Sequence, residues 1–405
     1  MKPKIKIVLI TTGQPTTNPR LVKEADALSS EGYDVTVIYQ NISEWATQTD
    51  INLLATRPWK VICVAGNPKV NFLRFILKKS VYKLTVLASK QFGFKLGLAE
   101  SALTFGVNSL SKAAKKIKAN LYIAHNLGAL PVAVKAAKYF NAKCGFDAED
   151  FHRHEISDET HSFNFKIRKF IEEKFITQVD YLTASSPMIA MQYQQIFNKK
   201  TTVVLNAFQR VQYPSISNLQ NPLRFVWFSQ TIGNGRGIDI IIDVLNVFDK
   251  PFELHLLGNA SRDFLELCKK KTKFTHGKLI FHQPIPPDDI FNFCREFDIG
   301  LCLEQNHPFN RSICLTNKIF TYFQSGLAII ASDTPAQSSF LNDYGKIGSI
   351  FNDENSLLKI IKNYDDDRKL LNMHKLNSFL LGQNYINWEI EKQKFLLVVE
   401  QTLKT

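Results

Sequence analysis

Two short apolar runs, residues 299–303 and 327–331, bracket the stretch EQNHPFNRSICLTNKIFTYFQSG. Both runs read as buried strands, and the segment between them reads as a polar loop followed by a helix. Thr316 is placed as the N-cap, Ile319, Phe320 and Phe323 form the apolar face, and Gly326 ends the helix. A helix start presents unsatisfied N–H groups and the positive end of the helix dipole. Asn317 and Lys318 beside it therefore make a natural anion site. The plainer alternative is an ordinary βαβ unit with a basic first turn. A second constellation, FHRHE at 151–155, has metal-donor types in His152, His154 and Glu155, but it reads as a polar loop with no metal expected. The chain has no G-x-x-x-x-G-K-[ST], no G-x-G-x-x-G and no nucleophilic-serine elbow, so P-loop phosphoryl transfer, dinucleotide chemistry and acyl transfer are unsupported.

Groups of this kind need a scaffold, and a parallel α/β sheet holds its ligands beyond the carboxyl ends of its strands. The pattern predicts such a sheet twice. Strands are expected at 4–11, 35–39, 60–64, 121–125, 143–147, 180–184 and 202–205, with helices at 19–30, 128–140, 162–178 and 187–197. The polar, proline-containing segment 206–222 reads as a linker. A second series follows, with strands at 223–229, 252–257, 278–282, 298–303 and 327–332 and an amphipathic helix at 387–401. A chain of 405 residues outgrows a single core. The expected fold class is α/β, two doubly wound Rossmann-like domains facing across a cleft. The first covers 1–206 and the second 223–383, with 384–405 packing back on the first.

The formal charge of +13 is concentrated in one place. Residues 60–118 hold twelve lysines and arginines and a single acid, Glu100. Long aliphatic and aromatic side chains interleave with them through 69–118, a basic amphipathic insert suited to an anionic membrane surface. Nucleic acid is not the expected partner, because no reading helix or series of surface-spaced aromatics accompanies the charge. No apolar run approaches the roughly 20 residues needed to span a bilayer. The apolar start reads as a first strand rather than a signal peptide. The six cysteines lack metal or redox spacing and read as free thiols in a reducing compartment. The expected place is cytoplasmic, peripheral on the inner face of a membrane.

Several segments in order resemble the GT-B glycosyltransferases, within them group 1, glycosyltransferase family 4, whose members retain anomeric configuration. They are TTNPRLVKEADALSSEGYDVTVI, AHNLGALPVAVKAAKYFNAKCGFDAED, VVLNAF, SQTIGNGRGIDIII, LTNKIFTYFQSGLAIIASD and the tail around Trp388. The resemblance implies transfer of a sugar from a nucleotide diphosphate sugar to a glycan or lipid-linked acceptor. It implies cell-surface polysaccharide or glycoconjugate synthesis, with no metal or other cofactor. Arg236 in NGRG, with Asn317 and Lys318, would meet the donor diphosphate, and Gly13 would let backbone approach it. His125 would contact the donor sugar near the reacting carbon and, with Asp147 and Glu149, make up the catalytic candidates. Asn18, Arg20 and Glu155 are the acceptor candidates.

Two departures stand out. The family's paired glutamates, eight positions apart, are Ile313 and Thr321 here, and its arginine six residues before Arg236 is Gln230. Thr321 and Gln230 stay as donor-side candidates with fewer charges to offer. The departures keep a second function in view, a catalytically degenerate member acting as a glycan- or partner-binding scaffold.

Overall fold

The computed structural model describes residues 4–64, 72–213, 216, 218, 219 and 221–405, with only the backbone of 73 and 74. Residues 69–71 of the basic insert and the Arg74 side chain lie outside the described residues. The chain forms two compact units, Met1–Leu205 with Lys392–Thr405, and Asn206–Glu391.

The first unit is built on a seven-stranded sheet. Its strands are β1 (Lys6–Thr11), β2 (Asp34–Tyr39), β3 (Lys60–Cys63), β4 (Leu121–His125), β5 (Lys143–Ala148), β6 (Tyr181–Ala184) and β7 (Thr201–Val203). All pairs are parallel, in the order β3-β2-β1-β4-β5-β6-β7. Central strands such as KIVLIT and LYIAH are apolar almost throughout because helices cover both faces of a parallel sheet. The strand order reverses between β1 and β4, the switch point at which open α/β sheets bind ligands.

Register there puts four side chains in one row: Thr11 opposite His125, His125 opposite Asp147, and Asp147 opposite Thr183. The loops after β1 and β4 are tied together. Thr12 donates to Asn126 Oδ1 at 2.8 Å and the Asn126 amide donates to Thr11 Oγ1 at 2.9 Å. Gly128 is required by this close approach, since a Cβ would lie 2.9 Å from the methyls of both Thr12 and Thr104. The C-terminal helix Trp388–Lys404 enters this unit at Lys392, whose Nζ is 3.0 Å from Ser30 Oγ and 3.6 Å from Glu31.

The second unit has a six-stranded parallel sheet of β8 (Leu223–Ile232), β9 (Phe252–Ala260), β10 (Gly277–His282), β11 (Ile299–Cys302), β12 (Ala328–Ser332) and β13 (Gly348–Phe351). The order is β10-β9-β8-β11-β12-β13, so the reversal falls between β8 and β11. β8 runs three residues further than the pattern predicts, through a register shift between Phe228 and Thr231 that carries Gln230 on the strand. β13 is unanticipated: GSIF is short and only half apolar, as an edge strand permits. Helix Arg368–Asn384 is anchored to the sheet by a fully buried ion pair, Lys375 Nζ to Asp298 Oδ1 at 3.1 Å.

Candidate functional site

The row at the first unit's switch point is covered by helix Pro19–Ser30. Asn18 caps that helix by accepting from Leu21 N at 3.0 Å, and Pro19 suits the first helical position. Residues four apart share a helix face, so Arg20 and Glu24 point together onto the row. The Arg20 guanidinium clamps Asp147 with two bonds, Nε to Oδ2 at 2.5 Å and Nη2 to Oδ1 at 2.7 Å, and its Nη1 donates to the Val204 carbonyl at 2.5 Å. Thr183 adds a 2.6 Å bond to Asp147. His125 Nε2 lies 3.2 Å from Glu24, and its Nδ1 lies 3.6 Å from both Asp147 and Glu149. Arg20, Glu24, His125 and Asp147 are essentially inaccessible; Glu149 keeps 28% of its side chain exposed and is the cluster's carboxylate open to solvent.

Burial alone disfavours every charge here, yet the partners reverse its effect at Arg20, His125 and Asp147. Burial pulls the His125 imidazolium down, but Glu24, Glu149 and Asp147 outweigh it and push its pKa up to about 10. Burial would raise Asp147, and Arg20 holds it below the ordinary carboxylate range. Glu24 goes the other way, raised by burial and by the nearby Asp147. Glu24, both His125 nitrogens and Glu149 Oε1 make no well-aligned hydrogen bond, so ion pairing at 3.2–3.7 Å holds the cluster without directed bonds to those atoms. Strongly perturbed groups gathered at a switch point mark a functional site more often than a structural one.

In the second unit the loop after β8 and the segment after β11 flank the reversal. Gly237 adopts φ +73°, and a Cβ there would sit 2.6 Å from the Leu303 carbonyl oxygen, which only glycine avoids. The loop is thereby seated on the end of β11, and Arg311 Nη1 donates to the Gly235 carbonyl at 3.3 Å. Lys318, on the first turn of helix Asn317–Gln324, contacts Glu304 Oε1 at 2.5 Å, and its Nζ sits 5.6 Å from the Trp227 ring centroid. Thr316 stands at the N-cap but donates to Glu304 at 3.2 Å rather than capping the helix. Burial would raise Glu304, but Lys318, Thr316 and Arg236 together hold it below the usual carboxylate range. Lys318 thus pairs with Glu304 beyond the strand ends, and the Gly235–Gly237 loop that carries Arg236 is seated on the same end of β11.

No protein-family model and no curated protein sequence matches the chain. Solved structures match it over essentially its whole length. Sucrose-phosphate synthase from Thermosynechococcus elongatus aligns with a TM-score of 0.71 at 13% identity, covering 99% of this chain and 100% of that one. HepE from Anabaena, in complex with UDP and glucose, aligns at 0.68 and 15%, covering 98% and 100%. A putative UDP-N-acetylglucosamine 2-epimerase from Listeria monocytogenes aligns at 0.60 and 10%, covering 98% and 96%. The chain has the GT-B fold. At these identities likeness establishes the GT-B fold and leaves the reaction to be argued from the residues.

Within the GT-B fold the other candidates fall as follows. Gly13 donates its N–H to Thr11 Oγ1 at 3.2 Å, and its carbonyl accepts from Gln40 N at 3.2 Å. Asn18 and Arg20 are buried, one spent on the helix cap and the other on Asp147. Glu155 lies away from the row, paired with His152 Nδ1 at 3.0 Å and Arg168 at 3.7 Å. Gln230 is exposed on β8. Asn317 is exposed and accepts from Asn206 at 2.8 Å. Thr321 is buried and its hydroxyl donates to the Asn317 carbonyl at 3.0 Å; Ile313 is buried too.

Among the described residues, two groups bring three metal-donor atoms within 4.8 Å of one another, His125–Asp147–Glu149 and Asp150–His152–Glu155. In both, neighbouring carboxylates raise the histidine pKa against the pull of burial. Sequence reasoning missed Glu24 and Glu304. The available signals were an acid on the apolar stripe Leu21, Ala25, Leu28, and an acid directly after a buried strand.

Proposed function

We propose that the protein is a glycosyltransferase that moves a sugar from a nucleotide diphosphate sugar to a glycan or lipid-linked acceptor. The observation that carries this is the placement of Lys318 at a helix start, paired with Glu304, next to the loop that bears Arg236, at the second unit's switch point. Transfer from such a donor leaves a diphosphate, and preorganised cations and helix N–H groups lower the barrier by meeting the charge it develops. HepE, of the same fold, has been solved with UDP and with UDP-glucose, which supports a uridine nucleotide as the first donor to test.

In the first unit Glu149 is the exposed carboxylate that meets the acceptor or the transferred sugar. The His125 ring, 3.6 Å away, is its partner in the cluster. Retention of configuration and independence of metal follow from the resemblance to family 4, whose chemistry relies on orientation and phosphate stabilisation. The same resemblance supports a role in cell-surface polysaccharide or glycoconjugate synthesis, and the basic amphipathic stretch 69–118 supports a place at the inner face of a membrane.

One observation favours a second reading. Ile313 and Thr321 stand buried where the family places glutamates, so no carboxylate is available there for a ribose. A degenerate, scaffold-type protein would share this feature. Thermal shift with uridine, guanosine and adenosine diphosphates, followed by transfer from the matching nucleotide sugar, separates the two readings. Stabilisation by one diphosphate with turnover supports the transferase, and stabilisation without turnover supports the scaffold. No response to any diphosphate removes the transferase reading.

A further inference from the structure

We propose that the outward face of helix Phe72–Phe92 is a docking surface for an anionic lipid bilayer, the helix lying in the plane of the headgroups. The helix has two unlike sides. At about 100° per residue, Phe75, Lys78, Tyr82 and Ser89 fall together and face the protein. The rings of Phe75 and Tyr82 pack on Phe105 with centroids 5.7 and 6.3 Å apart, Lys78 Nζ meets Ser109 Oγ at 2.8 Å, and Ser89 is buried.

The other side carries Leu77, Val81, Leu84, Leu87 and Phe92, each 56–75% exposed, with the exposed Phe72 on its lysine border. Isolated exposed apolar residues need no explanation, but five large ones on one face of one helix call for a partner. Lys79, Lys83 and Lys90 lie exposed along one border of this face, and the helix sequence FLRFILKKSVYKLTVLASKQF contains no acid. The complementary surface is therefore apolar inside and anionic at its rim, as a bilayer with acidic headgroups is. A second copy of this helix would set lysines against lysines and is disfavoured. No helix of the described residues is long and apolar enough to cross a membrane, which leaves the in-plane mode.

This inference deepens the transferase reading and rests on it only for the idea that the acceptor is membrane-borne. The test is co-sedimentation of the full chain with phosphatidylcholine vesicles, with and without phosphatidylglycerol. Binding should be at least about tenfold stronger to the anionic vesicles and weaken with added salt. Leu77→Gln with Leu84→Gln and Leu87→Gln, or Lys79→Glu with Lys83→Glu and Lys90→Glu, should each remove most of it. The leucine variant should keep the wild-type unfolding temperature, because Leu77, Leu84 and Leu87 face outward, and both variants should keep the response to nucleoside diphosphate; the lysine variant also gives up the stacking of Lys79 on Phe75 and of Lys90 on Phe163.

Full recovery of the wild type in the supernatant with either lipid overturns the docking surface. So does a wild-type dimer in sedimentation velocity that the leucine variant dissolves, since the face then belongs to a second copy. A diphosphate response without vesicle binding defeats docking and leaves the transferase. Vesicle binding without a diphosphate response does the reverse.

Discussion

His125→Gln should erase a pH dependence specific to the first unit. In the folded chain three carboxylates push the His125 pKa up to about 10, against about 6.5 for an ordinary histidine. A group whose pKa rises on folding adds stability that is fully present below about pH 6.5 and is lost as pH climbs through about 10. Within that window one proton is worth about 1.4 kcal/mol per pH unit. For a unit of roughly 200 residues this corresponds to about 3–5 °C in Tm per pH unit.

The wild-type curve alone does not report this slope. Burial pulls Lys23 on the same helix down to about 7, so its contribution grows as pH rises over the same window and offsets His125. Buried Cys144 and Tyr181 are raised and act only at the alkaline end. Lys23, Cys144 and Tyr181 remain in the variant, so the difference between the two Tm curves reports His125 together with the carboxylates coupled to it, Glu24 and Asp147. Calorimetry from pH 6 to 9.5 should show the gap widest near pH 6.5 and closing steadily toward pH 9.5. In a Glu24→Gln background the gap should close at lower pH, because Glu24 is the largest support of the raised value. Parallel curves, with a gap independent of pH, would show that His125 folds neutral and would refute the reasoning.

Three further outcomes follow from the same geometry. Arg236→Ala should lose about 2–4 kcal/mol of transition-state stabilisation in kcat/KM with the matching donor while Tm holds, since the arginine sits on a loop and supports no core; unchanged kinetics would remove it from the site. Lys318→Met should weaken nucleoside diphosphate binding at least about tenfold in calorimetric titration, whereas Thr321→Val should change it less than about twofold because that hydroxyl is bonded to the Asn317 carbonyl. Lys375→Ala leaves Asp298 as a buried charge without its cation and should destabilise the second unit by about 3–5 kcal/mol in urea unfolding; a loss under about 1 kcal/mol would mean water reaches Asp298.

Both sheets and nearly every strand were legible in the sequence because buried parallel strands are continuous apolar runs, and LYIAH or IGLC admits no other reading beside a helix of fitting length. The edge strand β13 was not legible, since a half-exposed GSIF carries neither an apolar run nor an alternating pattern. At the site, the order of segments pointed to His125, Asp147 and Lys318 as positions. Their partners came from register and helix facing, which one-dimensional patterns do not encode. Glu24 meets His125 only because β1 and β4 are neighbours and helix Pro19–Ser30 lies over them. Thr316 shows the limit of local rules: it stands at an N-cap, but a carboxylate on the neighbouring segment competes for its hydroxyl.

The two switch points solve opposite electrostatic problems. In the first unit, cations and carboxylates interlock within a sealed row, and a charge added or removed there leaves a buried partner unpaired, so the arrangement is rigid. In the second, Lys318 pairs with one carboxylate, Glu304, and Arg236 lies on the neighbouring loop after β8. An unopposed lysine would swing into solvent. Glu304 instead fixes Lys318 on the first helical turn at 2.5 Å, with Trp227 beneath it. On the transferase reading, a diphosphate carries more negative charge than the carboxylate and can share or take over the lysine without moving it far. Its binding energy is then spent on the leaving group rather than on ordering a flexible side chain. On that reading Glu304 holds a cation whose partner arrives with the donor.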